Sequence, residues 1–190
     1  MKFTLRYDGE LHSSNGNDYR TKVRRAPEIW AIRRVVSAQL ALLWKRPPLS
    51  ERSTLVSWFP REIKERRVVP LVVAEVKMLA ALDIQILRGD EPGNIVNNAG
   101  DLDNRIKTLL DGLRGPLDSD KGDPPGNLPD PLYCLLEDDY LISELSIKTG
   151  PLLMPPLEPT PDPAAWVNVR IDVDVRAAEL TMLNLGLASP

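Results

Sequence analysis

The sequence predicts one α+β domain, a mixed or antiparallel sheet packed against two main helices. Three observations lead there. The chain has 190 residues, 43% of them hydrophobic, enough to bury one core without staples. Segments that alternate in twos are interleaved with two segments whose apolar residues recur at helical spacing. Two Pro-rich stretches, 114–131 and 151–163, interrupt the chain, and neither is followed by enough sequence for a second core.

Residues 2–7, KFTLRY, alternate and read as a first strand, and the polar stretch DGELHSSNGNDY reads as loop. A helix is predicted over 27–45, with Pro27 in its first turn, where a missing N–H costs nothing. Ile29, Ile32, Val36, Leu40 and Leu43 form its apolar stripe; Trp30 and Trp44 flank it as core residues, and Arg33, Arg34 and Lys45 fall off it. Pro47-Pro48 ends the helix, and a basic connector follows over 49–67. VVPLVVAEV is β-rich. LAALDIQILR gives a strand with one buried parity, and EPGNIVNNAG a loop. In DLDNRIKTLLDGLRG, Ile106, Leu109, Leu110 and Leu113 make the face of a second helix over 104–113. The segment 114–131 holds five prolines, three glycines and four aspartates, an inserted loop too poor in apolar side chains to bury itself. LISELSIKTG is a strand. AWVNVRIDVDVRA alternates most cleanly, Val167, Val169, Ile171, Val173 and Val175 facing one way. The tail AELTMLNLGLASP is apolar enough to dock.

Composition excludes several function classes. A single cysteine, Cys134, cannot form an internal disulfide, and within the apolar run LYCLL it reads as buried and inert. No apolar run is long enough to span a bilayer, and MKFTLRYDGE lacks a signal-peptide core, so a cytoplasmic setting without a membrane partner is expected. The sole histidine, His12, lies in a polar loop, which argues against His/Cys zinc chemistry and a Ser-His-Asp triad. Phosphate-binding glycine motifs are absent. The net charge of -3 conceals a polarity: residues 1–67 carry about +8 and residues 68–190 about -11.

The acidic residues fall in two informative clusters. Asp103 can cap the 104–113 helix. If the segment entering that helix is extended, Asp101 and Asp103 point to one side and can converge on a common point. Asp103, Lys107 and Asp111 are spaced to share a helix face, as an ion-pair row or as carboxylates beside a cation that meets phosphate. Glu137-Asp138-Asp139 precedes the LISELSIK strand. Together the clusters offer the oxygen-only donor set that Mg²⁺ requires, and two such ions can activate water for phosphodiester hydrolysis.

DLDNRIKTLLDGL followed by EDDYLI resembles the RusA family of Holliday junction resolvases, in which a D-x-D-N-x-x-K-x-x-x-D-x-L segment precedes a D-D pair and a strand. The resemblance covers roughly 100–113 and 136–148, with looser agreement over the C-terminal strand. It implies a RusA-like α+β homodimer that cuts branched DNA such as four-way junctions with Mg²⁺. On this chain it places the metal-binding aspartates at Asp101 and Asp103, with Asp139 and the neighbouring Asp138, and the lysine at Lys107. Gly100 stands where the family can carry a basic residue, and the acidic 114–131 loop replaces a short connector. Such a loop repels DNA unless it folds away.

Clustered cations, rather than a basic average, make a DNA-backbone surface. The first candidate set is Arg20, Lys22, Arg24, Arg25, Arg33 and Arg34, and a second patch is Arg61, Lys64, Arg66 and Arg67; each also reads as an ordinary solvated face. Asn94, Asn97 and Asn98 are loop residues that could orient water or metal ligands. Two other functions fit the same residues: a non-catalytic DNA- or partner-binding protein on this fold, and a metal-dependent phosphohydrolase with a smaller substrate.

Overall fold

The computed structural model describes residues 1–12, 19–51, 61–63, 65–89, 99–120, 122–154, 162 and 165–187, the side chains of 19–24 and 99–101 excepted. The chain runs β1 (Lys2–Glu10), α1 (Tyr19–Trp44), β2 (Arg61–Ile63), β3 (Arg66–Val72), β4 (Met78–Arg88), α2 (Ala99–Leu113), β5 (Leu132–Leu136), β6 (Ile142–Pro151) and β7 (Trp166–Ala177). It is an α+β domain with two main helices, as predicted, but its strands form two mixed sheets. One has the order β1-β7-β4-β6 and the other β2-β3-β5. β5, the apolar LYCLL run, and the short β2 supply the second sheet's flanks. No alternation marks either one, which is why a single sheet is expected from pattern alone.

The four-stranded sheet takes its register from period-two burial. Leu5, Ile171, Ile84 and Ile147 line up across all four strands on the core face, and Phe3, Val173, Leu82 and Leu145 form the next row. On the other face, Arg170, Asp172 and Asp174 of β7 meet Arg6, Thr4 and Lys2 of β1 and Gln85, Asp83 and Ala81 of β4. Lys148 pairs with Asp83, and Arg176 with Asp174 and Glu144, so charges interleave across that surface.

α1 lies against β1 and β5 and caps one residue at an edge of each sheet with a side chain. Gln39 accepts from the Arg6 amide at 2.9 Å and donates to the Arg6 carbonyl at 2.7 Å, standing in for a further strand beside β1. The buried Ser37 hydroxyl accepts from the Tyr133 amide at the outer side of β5. The C-terminal segment docks through buried Leu187 and through Asn184, whose amide donates to the carbonyls of Val76 and Glu179.

Three helix expectations are corrected. α1 begins at Tyr19, so Pro27 sits inside it, not in its first turn, and one intrahelical hydrogen bond is missing there. α2 begins at Ala99, so Asp103 is an interior residue, not its cap. Arg33 lies within the buried face of α1, beside Trp30, rather than off it. The loop 90–98, with Asn94, Asn97 and Asn98, and most of the 49–67 connector, Lys64 included, lie outside the described residues.

The two helices cross at Gly112. A Cβ there would meet Ile32 Cγ2 at 2.5 Å and Ile32 Cβ at 2.7 Å, so only hydrogen allows the approach. This accounts for a residue that helix propensity disfavours by about 1 kcal/mol. Gly112→Ala is expected to destabilise the fold by about 1–3 kcal/mol despite its better propensity. Urea unfolding of Gly112→Ala, alone and with Ile32→Val, measures the clash as a loss that the second substitution partly recovers.

Candidate active site

Two chain segments that carry the acidic clusters meet at one end of the domain. α2 ends at Leu113, and the next residues run beside the end of β5: Arg114 bridges to Leu136, and the Gly115 amide donates to the Leu136 carbonyl at 2.9 Å. The turn after β5 carries Glu137, Asp138 and Asp139. Each takes a different role. Glu137 is tied down, accepting from Ala74 N at 3.0 Å and pairing with Arg61. Asp138 opens the 3-10 turn without a side-chain capping bond. The Asp139 carboxylate faces Arg114 Nε at 3.8 Å.

Arg114 belongs to a cluster that also holds Arg25 and Arg33 of α1. Arg25 is 3% exposed and donates to Thr108 Oγ1 at 2.7 Å and to Asp111 at 3.1 Å. Arg33 is 2% exposed; it donates to the carbonyls of Arg114 and Asp111 and, at 2.8 Å, to Asp120. Arg114 donates to Asp111 at 3.2 Å and to Asp120 at 3.5 Å. Three guanidinium groups thus answer three carboxylates, Asp111, Asp120 and Asp139. The three arginines, Asp111 and Asp120, but not Asp139, border a cleft of about 430 Å³ that Ile29, Trp30, Ser119 and the exposed Lys107 also line.

The sequence-predicted DNA surface is corrected by this arrangement. Arg25 and Arg33 are buried struts whose donors are spent on α2 and the insertion, so they do not present a cation to a phosphate backbone. Arg34 is exposed as expected. Arg20, Lys22 and Arg24 lie on α1, and their side chains are outside the described residues. In the second patch, Arg61 and Arg66 have internal partners, Glu137 for the first and the carbonyls of Leu128 and Pro125 for the second.

The acidic insertion is folded in, not extended from the domain. Asp120 plugs into the arginines, Leu128 is buried against Trp30 and Leu132, and Gly122, at φ +80°, passes so close to Ala26 that a Cβ would clash. Burial by itself raises the Asp120 carboxyl, but the Arg33 hydrogen bond, the Leu117 amide and the two guanidinium charges outweigh it and hold it below the usual carboxylate range. Asp139 goes the other way. Burial raises it, and repulsion from Asp111, Asp138 and Asp120 adds to that against the attraction of Arg114. Cys134 is buried beside the cluster, its thiol pushed up to about 12 by burial, as expected for an inert residue.

The motif aspartates are arranged differently from the extended-segment expectation. Residues 101 and 103 are both helical, and positions two apart on a helix lie about 200° apart around its axis. Asp103 is exposed, and the Asp101 side chain is outside the described residues. Among the described residues no three His, Cys, Asp or Glu side chains come together to hold a metal, so Asp103, Asp138 and Asp139 alone do not make a Mg²⁺ site. His12 makes no such contribution either, being hydrogen-bonded to Glu28 at 2.9 Å with Asp162 on its other nitrogen.

Arg114 and Asp120 are the site residues that the sequence reading passes over. Their signal is faint: an arginine just past an apolar helix face, and one aspartate among four in a Pro-rich loop. No family model, curated protein or solved structure matches the chain.

The Arg33–Asp120 pair is expected to anchor the insertion. Arg33→Met removes the closest cation from Asp120, leaving it Arg114 and the Leu117 amide, and takes the donor from two carbonyls; it should cost about 3–5 kcal/mol, with Asp120→Asn in the same background recovering part of the loss. Because the folded Asp120 carboxyl is held low, its contribution is full above the ordinary carboxylate range and is lost as pH falls through the lowered folded value. Urea midpoints from neutral to acidic pH should therefore fall more steeply for wild type than for Asp120→Asn.

Proposed function

We propose that the protein is a Mg²⁺-dependent endonuclease of the RusA type, acting as a homodimer on branched DNA such as four-way junctions. The observation that carries this reading is that the C-terminal end of the helix whose first turns bear the D-x-D-N-x-x-K motif packs beside the turn that bears the D-D pair, with Arg114 facing Asp139. On this reading Asp101, Asp103 and Asp139, with Asp138, hold the metal, and cleavage requires the D-D pair to be brought to the start of α2, about 15 Å of helix rise from the Leu113 end beside which it lies. Mg²⁺ would contribute Lewis acidity toward a phosphodiester. Lys107 sits at the cleft wall, exposed, where an ammonium can steady a phosphate oxygen. The insertion supports the reading in one respect: Arg33 and Arg114 offset the Asp120 charge, which lessens its repulsion of a DNA backbone.

A second reading, a non-catalytic DNA- or partner-binding protein on the same fold, is favoured by the absence of a three-carboxylate group among the described residues. Incubation of synthetic four-way, flapped and linear DNA with Mg²⁺ separates the two. The nuclease reading expects junction cleavage that Asp103→Asn reduces at least about a hundredfold, since even residues supporting a metal ligand are worth 10–100-fold. Equal cleavage by both proteins rejects the mechanism. Junction binding without cleavage on any substrate establishes the second reading.

Asp139 allows function to be told from folding. Its carboxyl is raised, so its ionised form burdens the folded state at neutral pH. Asp139→Asn is expected to abolish cleavage while leaving Tm at pH 7 equal to or above that of wild type. The advantage should shrink as pH falls into the range where the wild-type carboxyl takes up its proton. Thermal melts across that range check the sign.

A further inference from the structure

The four-stranded sheet has two edges, and its own chain treats them differently. At β1 the Gln39 amide occupies both the N–H and the C=O of Arg6. At β6 the hydrogen-bonded neighbour is β4 on one side, and among the described residues no strand pairs with the other. Ten residues long, β6 carries a large apolar side chain, Leu145, that is 44% exposed although its row is the core row of Phe3, Val173 and Leu82. β6 is bulged at Ser143, where the ladder steps from Ile142 to Glu144, and regular over Glu144–Pro151; open edges of this length are normally shortened, bulged or covered.

The sequence of β6 is complementary to its own reverse. Set antiparallel to a second copy about Ser146, Glu144 falls opposite Lys148 of that copy and Leu145 opposite its Ile147. Residues directly opposite share a face, so the apolar pair lies on the core side and the charged pair on the outer side. The core rows then run on without a break, from Leu82 through Leu145 to Ile147 and Ile84 of the second copy. On the outer side, the present Arg176–Glu144 and Lys148–Asp83 pairs extend into rows of alternating sign.

We propose that the β6 edge is a self-association surface, joining two copies of this chain antiparallel in a register centred on Ser146 to make one eight-stranded sheet. The occupant is a second copy because the charge pattern of the edge answers itself, as a two-fold contact requires. This interface rests on the homodimer of the proposed function and names the surface that makes it; the metal and the cleavage do not enter.

The register gives a sharp test. Residue 146 faces its own copy across the axis, with Cα atoms about 4.5–5.5 Å apart, inside the range of about 4.4–6.8 Å that a disulfide spans. Ser146→Cys is expected to give a covalent dimer under mild oxidation. Asp118→Cys, exposed on the insertion, and wild type, whose single cysteine is buried, should not. Light scattering of wild type at micromolar concentration should report a dimer. Glu144→Lys should weaken it roughly tenfold or more by placing like charges opposite each other, and Glu144→Lys with Lys148→Glu should restore it. A wild-type monomer overturns the proposal, as does a dimer in which Ser146→Cys cross-links no better than Asp118→Cys. Circular dichroism of each variant shows that the fold is retained, and no outcome depends on DNA cleavage.

Discussion

A guanidinium group buried at Arg33 sets the terms for the rest of the domain. Removed from water, it must be answered by acceptors in fixed places, because an uncompensated buried charge costs far more than a paired one returns. Its acceptors come from three places: the carbonyls of Asp111 and Arg114 at the end of α2, and the carboxylate of Asp120 in the insertion. Trp30 covers the plane of the cation at 4.6 Å. One side chain on α1 thereby fixes where α2 stops and where the insertion returns. That same stopping point lays Arg114 along β5 and brings Asp139 into reach. Gly112, the residue after Asp111, permits the helix approach that puts Arg33 within range.

Periodicity made the sheet readable. The alternating faces of β4 and β7 and the parity of Leu82, Ile84 and Ile86 appear in the structure as buried rows, because a strand with one wet face must repeat in twos. The stripe on α2 was equally legible. Helix starts were not: Pro27 looks like a beginning by local preference, yet the helix carries on through it from Tyr19. The division into two sheets was hidden as well, because LYCLL is apolar at every position and reads the same in a strand or a buried helix. Arginines are read as surface cations by default, and nothing local distinguishes Arg33, which is buried, from Arg34, which is exposed. The distinction comes from Asp120, 87 residues further on.

The acidic excess of the C-terminal two-thirds also takes a different meaning once the partners are known. Asp111 and Asp120 are not surplus surface charge but the counterions of arginines from the basic first third. The polarity along the chain is to that extent a record of which halves must neutralise each other in the fold. Glu137, one of three consecutive acids, is likewise spent on Arg61 and the Ala74 amide. Asp139 is the member of that triplet turned toward Arg114 at the end of α2, and it is held there against burial and the repulsion of its neighbours. Groups kept at electrostatic cost cluster at functional sites, which is the physical content of the candidate site.

Gln39 has a further consequence. A sheet that offers hydrogen bonds at both edges can add strands without limit, which is how fibres grow. Here one residue of the β1 edge is satisfied from within by an amide that imitates a peptide group, with its donor and acceptor both placed on Arg6. Strand addition across that residue is blocked at the β1 edge, at the middle of the strand. A carboxamide on the first helix thus acts as a local stop against strand pairing along β1.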